Sequence, residues 1–255
     1  MKLIFLSVLC SIVMLITPAR AMDTLLFVAD KDFAPYSMLV EGEPAGIDVD
    51  VLTEVARRAG IDLKIAFKSW ETVVSMVKNG ECDGATSFFK TPDREQYAMF
   101  MDAVPIHVSD YVIFTKVGGK FPFRTYEDLR GKILGKVSGM SLGDEFDAAR
   151  TDGIMDIKEY QDVSGAVNGL LEGEIDGFVG NMDVTYNTLK PMGMTSSIVY
   201  LPKKVIDDKP SYAVFSRASG LKEKDLIIRK FEHILTQMRE DGTYNTIAKR
   251  YLFRF

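Results

Sequence analysis

Cysteine is close to absent from this 255-residue chain, which has two, Cys10 and Cys82. Cys10 lies in an N-terminal apolar run, Leu3 to Ile16, that follows Met1-Lys2 and ends at Pro18 and Ala19-Arg20-Ala21. A positive start, a short apolar core and an A-x-A site form a cleavable secretory leader, too short to span a bilayer. Cleavage after Ala21 assigns residues 1–21 to the leader and leaves 234 residues. Cys10 follows Leu9 rather than a small residue, which argues against a lipid-anchor cysteine. With Cys82 alone, no intramolecular disulfide can form, and an exported protein must then rest on a hydrophobic core. Cys82 opens an apolar stretch and reads as a small buried hydrophobe.

Histidine is equally scarce. His107 and His233 stand far apart, without H-x-x-x-H or Cys/His spacing, so no metal site is expected. There is no basic stripe. The chain after the leader carries 29 basic and 36 acidic side chains, a net of −7, which argues against nucleic acid and anionic membrane as partners. No second run is long and apolar enough to cross a bilayer. No G-x-G-x-x-G, P-loop or G-x-S-x-G occurs, so no nucleotide cofactor and no serine nucleophile are expected.

What the chain does have is one signature twice. Gly80-Glu81-Cys82-Asp83-Gly84 returns as Gly173-Glu174-Ile175-Asp176-Gly177. Upstream, Val73, Val74 and Val77 match Ala166, Val167 and Leu170 at the same offset. Each copy reads as an apolar helix face, a glycine that ends the helix, an Asp-Gly turn and an apolar strand. Two such units imply two α/β lobes and a cleft between them, where small ligands bind. Strands are expected at Thr24–Ala29, Asp62–Phe67, Asp83–Phe88, Asp110–Lys116, Lys132–Val137, Met155–Tyr160, Ile198–Leu201 and Tyr212–Ser216. Asp30–Gly46 reads as a loop. Helices are expected at Asp48–Ala59, from Thr91-Pro92-Asp93, at Ser141–Arg150 and Asn181–Lys190, and in the tail at Leu221–Gly242 and Thr243–Tyr251. Alternation of strands with helices gives a mostly parallel sheet in each lobe. The lobes join through stiff hinge strands near Ile106–Tyr111 and Lys209–Tyr212, with residues 22–108 plus 212–255 in lobe 1 and 109–211 in lobe 2.

An ordered series of motifs resembles the periplasmic solute-binding proteins of family 3, the amino-acid-binding type. It comprises Phe33-x-Pro35-Tyr36, Gly46-Ile47-Asp48-Val49-Asp50-Val51, Ser69-Trp70, Thr91-Pro92-Asp93-Arg94 and Asp128-Leu129-Arg130-Gly131-Lys132. Gly139-Met140-Ser141 and Asp241-Gly242-Thr243, followed by Tyr251, complete it. The resemblance covers nearly the whole chain after the leader. It implies a two-lobe periplasmic-binding-protein-like (type II) fold that takes a small ligand and hands it to a membrane ABC transporter permease, as a periplasmic monomer.

The resemblance also implies a ligand site. Arg94, in the first turn after a Thr cap, can grip a carboxylate with two parallel bonds and would hold the ligand's α-carboxylate. Phe33, Tyr36 and Trp70 would wall the first lobe, although read from the residues alone they fit a core better, as aromatics usually do. Thr86, Ser87, Phe88 and Phe89 end a strand, where open α/β sheets bind ligands. Ser141 would open a second-lobe helix. Asn181 and Asp183 follow the second-lobe strand. Three positions depart from the family pattern: Phe89 where a small hydroxyl residue is usual, Met140 in place of threonine, and Asn181 in place of the aspartate that meets the ligand's ammonium. Asp183 could substitute for that aspartate. The ligand class expected is an amino acid or a related organic acid. Two other readings stand beside the binding protein: an accessory or sensing protein that contacts a partner, and a dehydratase-like enzyme on the same scaffold, for which no acid–base pair stands out.

Overall fold

A computed structural model of the chain describes residues 24–252. The expected leader and its cleavage site lie outside them. The first described elements are β1 (Leu25–Asp30), a hairpin of β2 (Met38–Val40) and β3 (Glu43–Ala45), α1 (Ile47–Ala59), β4 (Leu63–Lys68), α2 (Trp70–Asn79) and β5 (Gly84–Phe89). A single turn, α3 (Pro92–Glu95), and β6 (Ala98–Phe100) lead to β7 (His107–Lys116). A 3-10 turn at Tyr126–Leu129 precedes β8 (Ile133–Val137), α4 (Asp144–Thr151), β9 (Asp156–Tyr160), α5 (Val163–Glu172), β10 (Gly177–Asn181) and α6 (Met182–Leu189). The last elements are β11 (Ile198–Ser216), α7 (Lys224–Glu240) and α8 (Thr243–Leu252).

The two signature units build equivalent halves. In one, β4, β1 and β5 run parallel; in the other, β9, β8 and β10 do. Helices α2 and α5 both end on a left-handed glycine, Gly80 (φ 77°) and Gly173 (φ 80°). At Gly80 a Cβ would also meet the Ala218 carbonyl oxygen at 2.6 Å, so the site is closed to other residues. The aspartate that follows each cap does the same job in each half. Asp83 accepts from Leu26 N at 2.9 Å and donates its own N–H to Leu26 O at 2.8 Å. Asp176 makes the same two bonds to Ile133, at 2.9 and 2.8 Å. Each thus pins a central parallel strand, β1 or β8, to the turn that enters its neighbour.

Two antiparallel strands cross between the halves. β11 pairs with β5 in the first half, β7 pairs with β10 in the second, and β7 pairs with β11 along their length. The two strands expected at 198–201 and 212–216 are one 19-residue strand. Its register against β7 slips between Tyr200 and Lys204, between Lys204 and Ile206, and between Ile206 and Lys209. The loop expected at 30–46 contains the β2–β3 hairpin. The helix expected to open at Ser141 starts at Asp144, because Gly143 (φ 91°) delays it.

Apolar layers lie on both faces of the sheet. Val51, Leu52 and Val55 of α1 pack with Phe27, Phe215 and Phe231 on one face of the first half. Val73 and Val77 of α2 pack with Val28, Cys82, Ala85 and Phe88 on the other. Burial pushes the Cys82 thiol up to about 12, so it stays neutral. In the second half α4 covers one face through Phe146 and Ala149, and α5 the other through Val167 and Leu170. Both layered halves turn their strand ends toward the space between them.

Candidate ligand-binding site

Arg94 is 5% exposed although it sits in a four-residue helix. Thr91 caps that helix, accepting from Arg94 N at 3.3 Å, and Pro92 starts it. The guanidinium lies 5.3 Å from the Phe88 ring centre and 5.4 Å from that of Trp70. It donates to Phe89 O at 3.1 Å and, across the cleft, to Gly139 O at 3.2 Å. Both acceptors are neutral. Among the described residues no carboxylate lies within ion-pair distance of Arg94, and burial lowers its pKa from the ordinary guanidinium value.

Around it lies a cavity of about 630 Å³, counting its open mouth. The first half lines it with Asp30, Asp32, Phe33, Trp70, Ser87, Phe89 and Arg94. β7 and the second half add Tyr111, Val137, Met140, Ser141, Gln161, Asp162, Val163, Asn181 and Val184. Most stand at the carboxyl ends of the parallel strands or just beyond, where open α/β sheets take ligands.

Of the twelve site residues expected from the sequence, Arg94, Trp70, Phe33, Ser87, Phe89, Met140, Ser141 and Asn181 meet at this cavity. Tyr36, Thr86, Phe88 and Asp183 do not line it. Thr86 is buried and gives its hydroxyl to Asp48 at 2.8 Å, while Phe88 is wholly buried beneath Trp70 and Arg94. The cause is a bulge in β5. Ser87 has φ 67°, and between Tyr212 and Val214 the register against β11 slips by one residue. Ala85 and Phe88 therefore share one face, a spacing that an unbroken strand cannot give. Ser87 and Phe89 turn to the cavity instead. Tyr36 is 4% exposed, stacks on His107 at 3.9 Å, and donates to Asp183 at 2.8 Å from the opposite half. Asp183 is thus engaged outside the cavity. Ser141 reaches the cavity from a loop rather than from a helix start.

His107 is buried beside Asp48, with Nδ1 2.9 Å from that carboxylate. Asp48 also accepts from Ser87 Oγ at 2.7 Å, so a buried polar group holds the bulge beneath the cavity floor. Asn181 is 2% exposed and spends its amide on the protein. Its Oδ1 caps α6, accepting from Val184 N at 3.1 Å, and its Nδ2 donates to Ser109 Oγ at 3.1 Å. Burial raises the pKa of the Tyr111 hydroxyl, and its hydrogen bond with Asn181 opposes the shift.

The sequence reading missed the acidic side of the cavity. Burial pushes the Asp30 carboxyl up to about 7, aided by the charges of Asp32 and Asp162 and opposed by the Asp32 N–H and Lys31. Asp30 ends β1, and Asp162 follows β9 as the N-cap of α5. The strand-end rule applied to Thr86–Phe89 would have found both. Among the described residues one carboxylate trio, Asp110, Asp207 and Asp208, brings its oxygens within 4.8 Å. Lys204 already pairs with two of the three, at 2.8 and 2.5 Å, and none of them lines the cavity.

The model of the bacterial extracellular solute-binding proteins, family 3, matches residues 25–254. The chain belongs to this family. Among similar proteins is the L-cystine-binding protein TcyA of Bacillus subtilis (strain 168), 23% identical over 208 residues, covering 81% of this chain and 72% of TcyA. The histidine-binding periplasmic protein of Escherichia coli (strain K12) is 26% identical over 230 residues, 87% of this chain and 85% of that protein. In fold, the solute-binding chain matches an ancestral arginine-binding protein bound to arginine at TM-score 0.77 and 20% identity, covering 91% of this chain and 99% of that one. The fold is therefore the two-lobe periplasmic-binding-protein-like type, and the family is one of amino-acid-binding proteins. Among the described residues no helix is long and apolar enough to cross a membrane.

Proposed function

We propose that this protein captures a small carboxylate-bearing ligand, an amino acid or a related organic acid, between its lobes and delivers it to a membrane ABC transporter. The observation that carries this reading is Arg94, a buried cation facing the cavity with neutral acceptors and, among the described residues, no carboxylate within ion-pair distance. An unpaired buried charge is costly, and a ligand carboxylate accepting two parallel N–H bonds would offset that cost. The amino-acid class draws on the relatives named for L-cystine and histidine. The lobes are residues 22–108 with 212–255, and 109–211. The protein works as a periplasmic monomer after cleavage behind Ala21, and it carries out no covalent chemistry.

Trp70 is the chain's only tryptophan and lines the cavity, so its fluorescence reports occupancy. The test uses protein exported from the full chain, stripped of ligand by unfolding and refolding, and titrated with amino acids and small organic acids. A saturable change that Arg94→Ala abolishes in a folded protein supports the reading. A folded wild type silent to the whole panel overturns it.

A further inference from the structure

The solute-binding reading leaves open whether the ligand is an amino acid or an acid without an amino group, and the acidic residues of the cleft bear on that choice. Asn181 cannot supply the missing anionic partner, since it has no charge and its amide is already bonded on both sides. Asp183 cannot supply it either, because it faces Tyr36 and lies off the cavity. Asp32 is exposed and paired with Lys31 at 3.2 Å.

Asp162 is different. It is half-buried and lines the cavity. Its Oδ1 accepts from Gly165 N at 2.8 Å, and its Oδ2 has no bond among the described residues. Asp30, from the other lobe, lines the same cavity. One cavity therefore holds a buried guanidinium without a counter-anion and a carboxylate oxygen without a donor. That is the complement of a zwitterion.

The geometry points to Asp162 as the residue that receives the ligand's ammonium, in place of position 181, while Arg94 holds its carboxylate. The ligand class narrows accordingly to ammonium-bearing acids, and acids without an amino group are poor ligands. The inference rests on the solute-binding reading above. Asp30 faces the same cavity from the opposite lobe; burial is the main cause of its raised carboxyl, and the charge of Asp162 adds the smallest part.

The experiment titrates the exported protein by calorimetry with L-histidine, L-arginine, L-glutamine and L-cystine, each paired with the acid that lacks its α-amino group. Wild type and Asp162→Asn are compared. Asparagine caps helices as well as aspartate does, so α5 keeps its cap and the variant folds. We expect the best amino acid to bind at least ~30-fold more tightly than its desamino partner, the scale seen when a buried charge pair loses one member. In Asp162→Asn that preference should shrink to a few-fold. A preference that survives in Asp162→Asn, or desamino acids that bind wild type as well as the amino acids do, overturns this inference and leaves the solute-binding reading standing. A folded wild type that binds no member of the panel overturns that reading, and this inference with it.

Discussion

The Tyr36 hydroxyl donates to the Asp183 carboxylate at 2.8 Å, joining a side chain of the first lobe to one of the second. Among the described residues it is one of two side-chain hydrogen bonds across the cleft, with Arg94 to Gly139 O, that need no ligand. Tyr36→Phe keeps the ring that stacks on His107 and removes only the bond. The loss should raise the dissociation constant of every ligand by the same factor, about 2- to 13-fold for one hydrogen bond of about 0.5–1.5 kcal/mol, with selectivity unchanged. Calorimetry on two unlike ligands checks it, and unequal losses would assign Tyr36 to ligand recognition instead.

Arg94 sets binding against stability. A buried cation whose partners are two carbonyls, two aromatic rings and the Tyr97 hydroxyl, with no carboxylate at ion-pair distance among the described residues, is a burden on the folded protein. Arg94→Met should cut ligand affinity at least ~100-fold while raising the Tm of the ligand-free protein by about 2–4 °C, the equivalent of roughly 1 kcal/mol. Calorimetric titration and thermal melts of the same sample read both effects. A fall in Tm would show that the two carbonyl bonds outweigh the desolvation.

Asp30 gives a pH signature. Its carboxyl stands at about 7 in the folded chain against the ordinary 3.8. Below pH 4 it is protonated in folded and unfolded chains alike. Between pH 4 and 7 only the folded chain keeps the proton, so this group's contribution to stability declines as the pH rises through that window and is flat above it. At full strength the displacement corresponds to roughly 4 kcal/mol, and water entering the cavity mouth reduces this to about 1–2 kcal/mol. Asp30→Asn should therefore stabilise the ligand-free protein at pH 8 and leave it unchanged at pH 4. Melts at the two pH values decide the matter.

Asp83 and Asp176 should cost alike when removed. Each gives a charge-assisted bond to the backbone of a central strand. Asp83→Ala and Asp176→Ala are each expected to lose about 2 kcal/mol, a bond to a charged group, and to lower Tm by roughly 4–8 °C. Melts with ligand absent measure this. A neutral result at either position would mean that the turn holds without its carboxylate.

The repeated units were legible because their determinants are local. Gly80 and Gly173 end helices, and Asp83 and Asp176 fasten strands, through residues adjacent in the chain or on one neighbouring strand. The eight cavity residues found from sequence follow strand ends in the same way. The misses have non-local causes. The Ser87 bulge depends on pairing with β11, more than a hundred residues on, and it decides that Thr86 and Phe88 turn inward. Tyr36 and Asp183 are drawn off the cavity by each other, from opposite lobes. The continuity of β11 was hidden by Pro202 and its charged middle, which read as a break in the strand pattern.

The irregular pairing of β11 has a mechanical meaning. Three slips in register against β7 divide the ribbon shared by the lobes into short paired runs separated by unpaired joints. Bending at a joint breaks no ladder bond, so the ribbon resists opening far less than an unbroken pair of strands would. The opening equilibrium is then governed by the few contacts on the cleft walls. Substitutions at the rim, remote from any ligand atom, can therefore set how long a captured molecule stays.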